Sequence, residues 1–187
     1  SVGEILKSEF GQTLGSPGVH IIDPFTGTGT FITRLLQSGL ITREQLAHKY
    51  KHEIHANEIV LLAYYIAAIN IEAVYHSLAG GSYQPFEGIC LTDTFQMYEK
   101  EDLVSALLVD NGSRRKRQKK LDIRVIVGNP PYSDGQDSAN DINENIEYPQ
   151  LDARIRGTYA ERSDIRMVRS LYNSYIRAIR WASDRIG

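Results

Sequence analysis

The chain has 187 residues, 42% hydrophobic and 24% charged, with a formal net charge of −2. That is enough apolar material for one globular α/β domain with its own core, and no run approaches the ~18 consecutive apolar residues of a membrane span. The near-neutral charge excludes a general polyanion binder. The opening Ser1-Val2-Gly3-Glu4 lacks the basic and apolar regions of a secretory signal and an initiator Met, so a piece of a longer protein is expected. The single cysteine, Cys90, excludes an internal disulfide, and no Cys/His spacing points to zinc. A reducing cytoplasm is the expected setting.

Short β-branched runs alternate with longer helical periods, the pattern of a parallel α/β sheet with helices on both faces. Val2, Ile5, Leu6 and Phe10 share one face of a first helix that Gly11 ends. Val19 to Asp23 reads as a buried strand, followed by a Gly/Thr loop over 26–30 and a helix carrying Phe31, Ile32, Leu35 and Leu36. Thr42 and Gln45 are spaced as a capping box for a further short helix. A second strand is predicted over 53–57. A long helix follows from Glu58 to about Val74, with Ile59, Leu62, Ala63, Ile66 and Ala67 inward. A third strand over 89–92 ends at Asp93, a weak helix is predicted over 99–109, and the basic run 114–120 reads as a loop. The fourth strand covers 123–127 and ends at Gly128. A long polar loop over 133–148 precedes a last helix from about Asp164 or Ser170, with Leu171, Tyr175, Ile176, Ile179, Ala182 and Ile186 on one face. Four strands are visible and the sheet reads as unfinished.

Four places carry chemistry. In Asp23-Pro24-Phe25-Thr26-Gly27-Thr28-Gly29-Thr30 a strand ends in an acid and a glycine turn opens a helix. Glycines allow close backbone approach, the helix start offers N–H groups to a carboxylate, and the Asp accepts from a cationic amine; a methionine-like tail carries both charges. The turn is no Walker loop, since no Gly-Lys-Ser/Thr follows, and without its flanks it reads equally as a tight turn with no ligand. Glu58, past the second strand, suits ribose hydroxyls, or serves as a helix N-terminal acid. Asp93, at the third strand's end, suits an adenine amine, or caps the next segment with Thr94 beside it.

Gly128-Asn129-Pro130-Pro131-Tyr132 decides between these readings. The prolines fix the backbone and remove donors, leaving carbonyls free to accept. The Asn side-chain oxygen is a second acceptor for the same –NH2, and Tyr132 offers a stacking face for a planar base.

The combination Asp-Pro-Phe-Thr-Gly-Thr-Gly-Thr-Phe and Asn-Pro-Pro-Tyr resembles the amino-methylating DNA methyltransferases of the adenine-N6 class, in the gamma order with cofactor motif first. The stretch from His55 to Ile71 looks like methylase domains of large restriction enzymes or predicted helicases. The resemblance implies a Rossmann-like class I S-adenosylmethionine-dependent methyltransferase fold, one partial catalytic domain over 1–187 that stops after the fourth strand. The last strands and the target-recognition domain are absent from it. It implies S-adenosyl-L-methionine as cofactor, held by residues 23–30, with Glu58 on the ribose and Asp93 on the adenine. Asn129 and Pro130 would accept from the target amine, with Pro131 in the same catalytic motif, Tyr132 would stack on the flipped base, and Leu171 and Tyr172 sit where the family's next motif helps form the target pocket. The partners implied are double-stranded DNA and further domains of a longer bacterial or archaeal chain: target recognition, nuclease and helicase.

Direct transfer of the methyl group is expected, without metal or covalent intermediate, because Cys90 sits inside a strand and not beside a Pro. Arg114, Arg115, Lys116, Arg117, Lys119 and Lys120 are candidates for DNA phosphates, or a solvated loop. The rival readings are a methyltransferase for a glutamine amide or an RNA base, and a non-catalytic cofactor-binding module of a larger enzyme.

Overall fold

The structure, a computed structural model, describes residues 1–98, 110–131, 148–161 and 172–186. The predicted helix over 99–109, Tyr132, and the polar loop except Tyr148 lie outside the described residues, as does Leu171. Two compact units are resolved: 1–94 with 103–129, and 95–102 with 130–187.

The first unit is built on a four-stranded sheet in the order β3-β2-β1-β4. The strands are β1 (His20–Asp23), β2 (Ile54–Glu58), β3 (Ile89–Leu91) and β4 (Ile123–Ile126), and every pairing is parallel. All five residues of β2 are buried, so both faces of the sheet are covered there. The chain builds outward from β1 through β2 to β3, then returns to place β4 on the other side of β1. The direction of winding therefore switches between β1 and β4, where open α/β sheets form a crevice at the strands' carboxyl ends.

Helix α1 (Val2–Phe10) ends at Gly11, as read, but only Leu6 of its apolar residues is buried; Val2, Ile5 and Phe10 are exposed. In α2 (Thr30–Gln37) Ile32 and Leu36 enter the core. The capping box of α3 (Arg43–His48) forms as expected, Gln45 accepting from the Thr42 N–H at 3.0 Å. A single π-helical turn over Lys49–Glu53 leads into β2.

Helix α4 (Leu61–Ala79) corrects the predicted inner face. Tyr64, Ala67, Ile71 and Tyr75 point inward, while Leu62 is 70% exposed and Ile59 and Ile66 are also outside. The sequence from Leu61 to Ile71 contains no charge to set the phase of the helix. The two tyrosines take the inner stripe because they find partners there: Tyr75 stacks on Tyr50 at 3.6 Å between centroids, and Tyr64 accepts from Arg114.

The basic run forms helix α5 (Asn111–Lys119), not the expected loop. Its buried positions are polar: Asn111, Arg115 and Gln118, spaced to fall on one face. Asn111 accepts from the Leu91 N–H and donates to the Leu91 carbonyl, both at 2.9 Å. One amide thus satisfies both main-chain groups of a β3 residue, much as another strand would.

In the second unit, α6 (Pro149–Ile155) and α7 (Ser174–Ile186) pack on each other. Among the described residues Phe95, Met97, Tyr148, Leu151, Ile155, Ala178 and Trp181 are its buried apolar side chains. The predicted inner face of α7 is corrected: Tyr175, Ile179 and Ile186 are exposed, and Ala178 and Trp181 face inward. The bidentate pair of Arg177 with Asp152, at 2.9 and 2.8 Å, fixes that rotation. Among the described residues no helix is long and apolar enough to cross a membrane.

Candidate functional site

The sheet topology brings the predicted acids together. Asp23, Glu58 and Asp93 end or follow three adjacent strands at one edge of the sheet, and Gly128 and Asn129 follow the fourth. Asp23 is completely buried. Its Oδ1 accepts from the Phe25 N–H at 3.1 Å, and its Oδ2 is buried with no partner among the described residues. Burial, more than anything else, pushes its carboxyl up to about 7; the Phe25 N–H opposes the shift and the charge of Glu58 adds to it. A buried carboxylate with an acceptor oxygen unpartnered among the described residues, at a switch point, is suited to a cationic donor.

The glycine turn is held from the ends of two strands, β1 and β2. The Thr26 N–H donates to the Asn57 carbonyl at 3.0 Å, and the Thr26 hydroxyl to the Asp23 carbonyl at 2.9 Å. Glu58, itself 8% exposed, spans the turn and its own helix: Oε2 accepts from the Gly27 N–H and Oε1 from the Val60 N–H, both at 2.8 Å. One of the N–H groups expected to face a ligand carboxylate is thus already matched by Glu58. Each Glu58 oxygen keeps a second lone pair for a hydroxyl donor. Gly29, with φ of 89°, opens α2. A Cβ there would lie 3.2 Å from Ile71 Cγ1 and 3.3 Å from the Ala67 carbonyl, so glycine lets α2 and α4 meet closely. Phe25 and Gly27 are part-exposed, Thr28 and Thr30 exposed, and Asn70 donates to the Thr28 carbonyl at 2.9 Å.

Beyond β4 the main chain passes directly over Asp23. A Cβ on Gly128 would lie 2.8 Å from Asp23 Oδ1 and 3.2 Å from Pro24 Cδ. This closeness sets the Asn129 segment beside the acid, with Asn129 itself exposed. Because Asp23 is buried and cannot swing away freely, Gly128→Ala should cost about 1–3 kcal/mol. A lower denaturant midpoint at unchanged slope would show it, and an unchanged midpoint would mean that Asp23 has room to move. Pro130 and Pro131 fall in the second unit.

The basic residues do not join this cluster. Helix α5 starts beside Leu91, at the carboxyl end of β3, and Arg117 donates to the Glu87 carbonyl, ahead of the start of β3. Its charged turn therefore lies toward the opposite end of the sheet. Arg115 is buried, Arg114 donates to the Tyr64 hydroxyl, and Lys116, Lys119 and Lys120 are exposed. Among the described residues no group of three or more His, Cys, Asp or Glu is placed to hold a metal.

Over its whole length the chain is similar to segments of larger solved proteins. A nuclease-deletion mutant of the Type ISP restriction-modification enzyme LlaGI, in complex with a DNA substrate mimic, matches at 48% identity with a TM-score of 0.86. The ATP-dependent Type ISP restriction-modification enzyme LlaBIII, bound to DNA, matches at 47% and 0.88. A DrdV–DNA complex matches at 42% and 0.89. The chain is similar to one segment of a restriction-modification enzyme. It spans only 16%, 13% and 18% of those three chains, respectively. No protein-family model matches the chain, and neither does any curated protein.

Two further residues beside these acids escape a sequence reading. Asn57 precedes Glu58 and is completely buried, its Oδ1 without a partner among the described residues. Thr94 follows Asp93 and is also buried. They meet through pairings between distant segments, and their only local signal is adjacency to the two acids.

Proposed function

We propose that this chain carries the S-adenosylmethionine site and the amine-orienting segment of an adenine-N6 DNA methyltransferase, the modification part of a restriction-modification enzyme. The observation that carries the proposal is the buried Asp23, with one oxygen that has no partner among the described residues, at the carboxyl end of β1 and directly beneath the Gly128 main chain. The donor and acceptor set fits the cofactor: Asp23 suits its ammonium group, Glu58 its ribose hydroxyls and Asp93 its adenine amine. S-adenosylmethionine supplies a methyl group activated on a sulfonium.

The protein's part is then binding and alignment. Asn129 and the carbonyl preceding Pro131 accept from the target –NH2 and fix its plane, and Tyr132 stacks on the base after it leaves the duplex. Lys116 and Lys120, both exposed, would contact phosphates of a flanking stretch of DNA, away from the reacting base. Similarity to restriction-modification enzymes solved with DNA favours a DNA amine over a glutamine amide.

The test has two stages. Calorimetry on the chain should show saturable S-adenosylmethionine binding. Duplex DNA treated with the protein at its full natural length should then yield N6-methyladenine on digestion and mass spectrometry. A folded chain that binds no cofactor would refute the cofactor assignment, and methylation of cytosine or of protein instead would refute the substrate.

A further inference from the structure

The turn Asp23-Pro24-Phe25 is tied to β2 and β3 by a relay that none of the site roles above uses. The Thr94 hydroxyl donates to the Pro24 carbonyl at 2.6 Å. The Asn57 amide donates to that same hydroxyl oxygen at 3.2 Å. A hydroxyl has one proton to give. With that proton on Pro24, the Thr94 oxygen accepts from Asn57, which fixes the orientation of the Asn57 amide and leaves its Oδ1 as the atom without a partner among the described residues. All three residues are buried, so each bond is made without competition from water.

We infer that Thr94 is a positioning residue for the cofactor site: held by Asn57, its hydroxyl anchors the Pro24 carbonyl and so fixes the turn that presents Asp23. The inference rests on the cofactor reading above. Pro24 has no N–H, so its carbonyl is the only main-chain polar group by which the turn can be gripped at that residue. Asp23 precedes it and is gripped through its own carbonyl by Thr26. With Thr94 removed, the turn would lose its hold at Pro24 while the bonds at Thr26 and Gly27 remain, and water would reach the Asp23 carboxyl.

Thr94→Val keeps the side chain's shape and removes the hydroxyl; Thr94→Ser keeps the hydroxyl. The Val variant should weaken S-adenosylmethionine binding about tenfold, and the Ser variant should stay within about twofold of the parent. A second readout needs no cofactor: the titration of the Asp23 carboxyl followed by carbon NMR in the ligand-free chain, where Glu58 is the neighbouring charge. Its midpoint should move down from about 7 toward the ordinary carboxylate range in the Val variant and stay in place in the Ser variant. A merely structural threonine would lower the melting temperature without moving that midpoint. Unchanged binding and titration in a folded Val variant overturn the inference.

If Thr94→Val does not fold, Thr94→Ala, which adds no methyl against the buried carbonyl, is read the same way. Failure of both to fold also overturns the inference, since the hydroxyl would then hold the fold and not the turn. If the parent chain binds no cofactor, the cofactor reading fails, while the titration still decides whether Thr94 positions Asp23.

Discussion

Asp23→Asn should raise the dissociation constant for S-adenosylmethionine by about 100-fold at pH 7.5, because it removes one partner of a buried charge pair and keeps the shape. The pH profile sharpens the expectation. Asp23 holds its proton up to about 7 in the ligand-free chain, and a cationic donor favours the ionised form. Binding near neutral pH should therefore release a proton, seen as binding heats that differ between buffers of different ionisation enthalpy. Affinity should fall about tenfold per pH unit below 7, as the proton must first be displaced, and fall again above about 8 as the ligand's amine loses its charge. The acid limb should vanish in the Asn variant. The ligand-free chain should show the converse in stability. The folded-state value lies above the ordinary value of 3.8, so the folded protein resists ionisation that the unfolded chain accepts. Stability is fully present below 3.8 and lost as pH rises through about 7. Asp23→Asn should thus stabilise the ligand-free chain by a few kcal/mol at pH 8 and hardly at all at pH 3.5. An Asn variant that binds within about threefold of the parent at neutral pH would remove Asp23 from the cofactor site.

The sequence shows the strands and the acids that end them more clearly than it shows how the helices are turned. β1 and β4 are β-branched runs bounded by turn residues, and each ends within about a residue of its predicted limit. Asp23 and Asn129 stand out because each lies in a contiguous string of turn residues, whereas Glu58 is marked only by its place at the end of the second strand. Helix phase is another matter. Helix α4 is apolar nearly all round, so packing, not pattern, chooses its buried stripe. Helix α5 has no apolar residue at all; its inner face is recognisable only once Asn111 is seen bonded to Leu91 and Gln118 reaching the Cys90 sulfur at 3.7 Å. The Asn57–Thr94–Pro24 relay spans pairs separated by 37 and 70 residues, a distance over which no spacing rule operates.

The largest stability effect is expected at Lys49, far in sequence from any motif. Its side chain is wholly buried. The ammonium donates to the carbonyls of Ser16 at 2.6 Å and Val19 at 2.8 Å and pairs with Glu53 Oε2 at 2.6 Å. Glu53 completes the knot by accepting from the Gly18 N–H at 2.7 Å and meeting His48 at 3.2 Å. Burial opposes ionisation of Glu53, but Lys49, the Gly18 N–H and His48 outweigh it and hold its carboxyl down at about 2. This ion pair ties the 16–19 segment to the π-helical turn, and that segment feeds β1, at whose other end Asp23 sits. Lys49→Met should cost about 3–5 kcal/mol, because it strands a buried carboxylate and two carbonyls. That is a large share of the ~5–15 kcal/mol that holds a domain folded, and urea denaturation at pH 7 would measure it. Lys49→Met with Glu53→Leu should recover part of the loss, since no unpaired charge then remains. The sign with pH follows from Glu53: its depressed folded-state value means the stabilisation is present above its ordinary 4.5 and lost as pH falls through about 2. The deficit of Lys49→Met should therefore be full at pH 7 and shrink in acid, as the stranded carboxyl takes up a proton. A deficit that is small at pH 7 and flat with pH would mean that water reaches Glu53 when the lysine is gone. The 16–19 segment would then be held by its own main-chain bonds rather than by the ion pair.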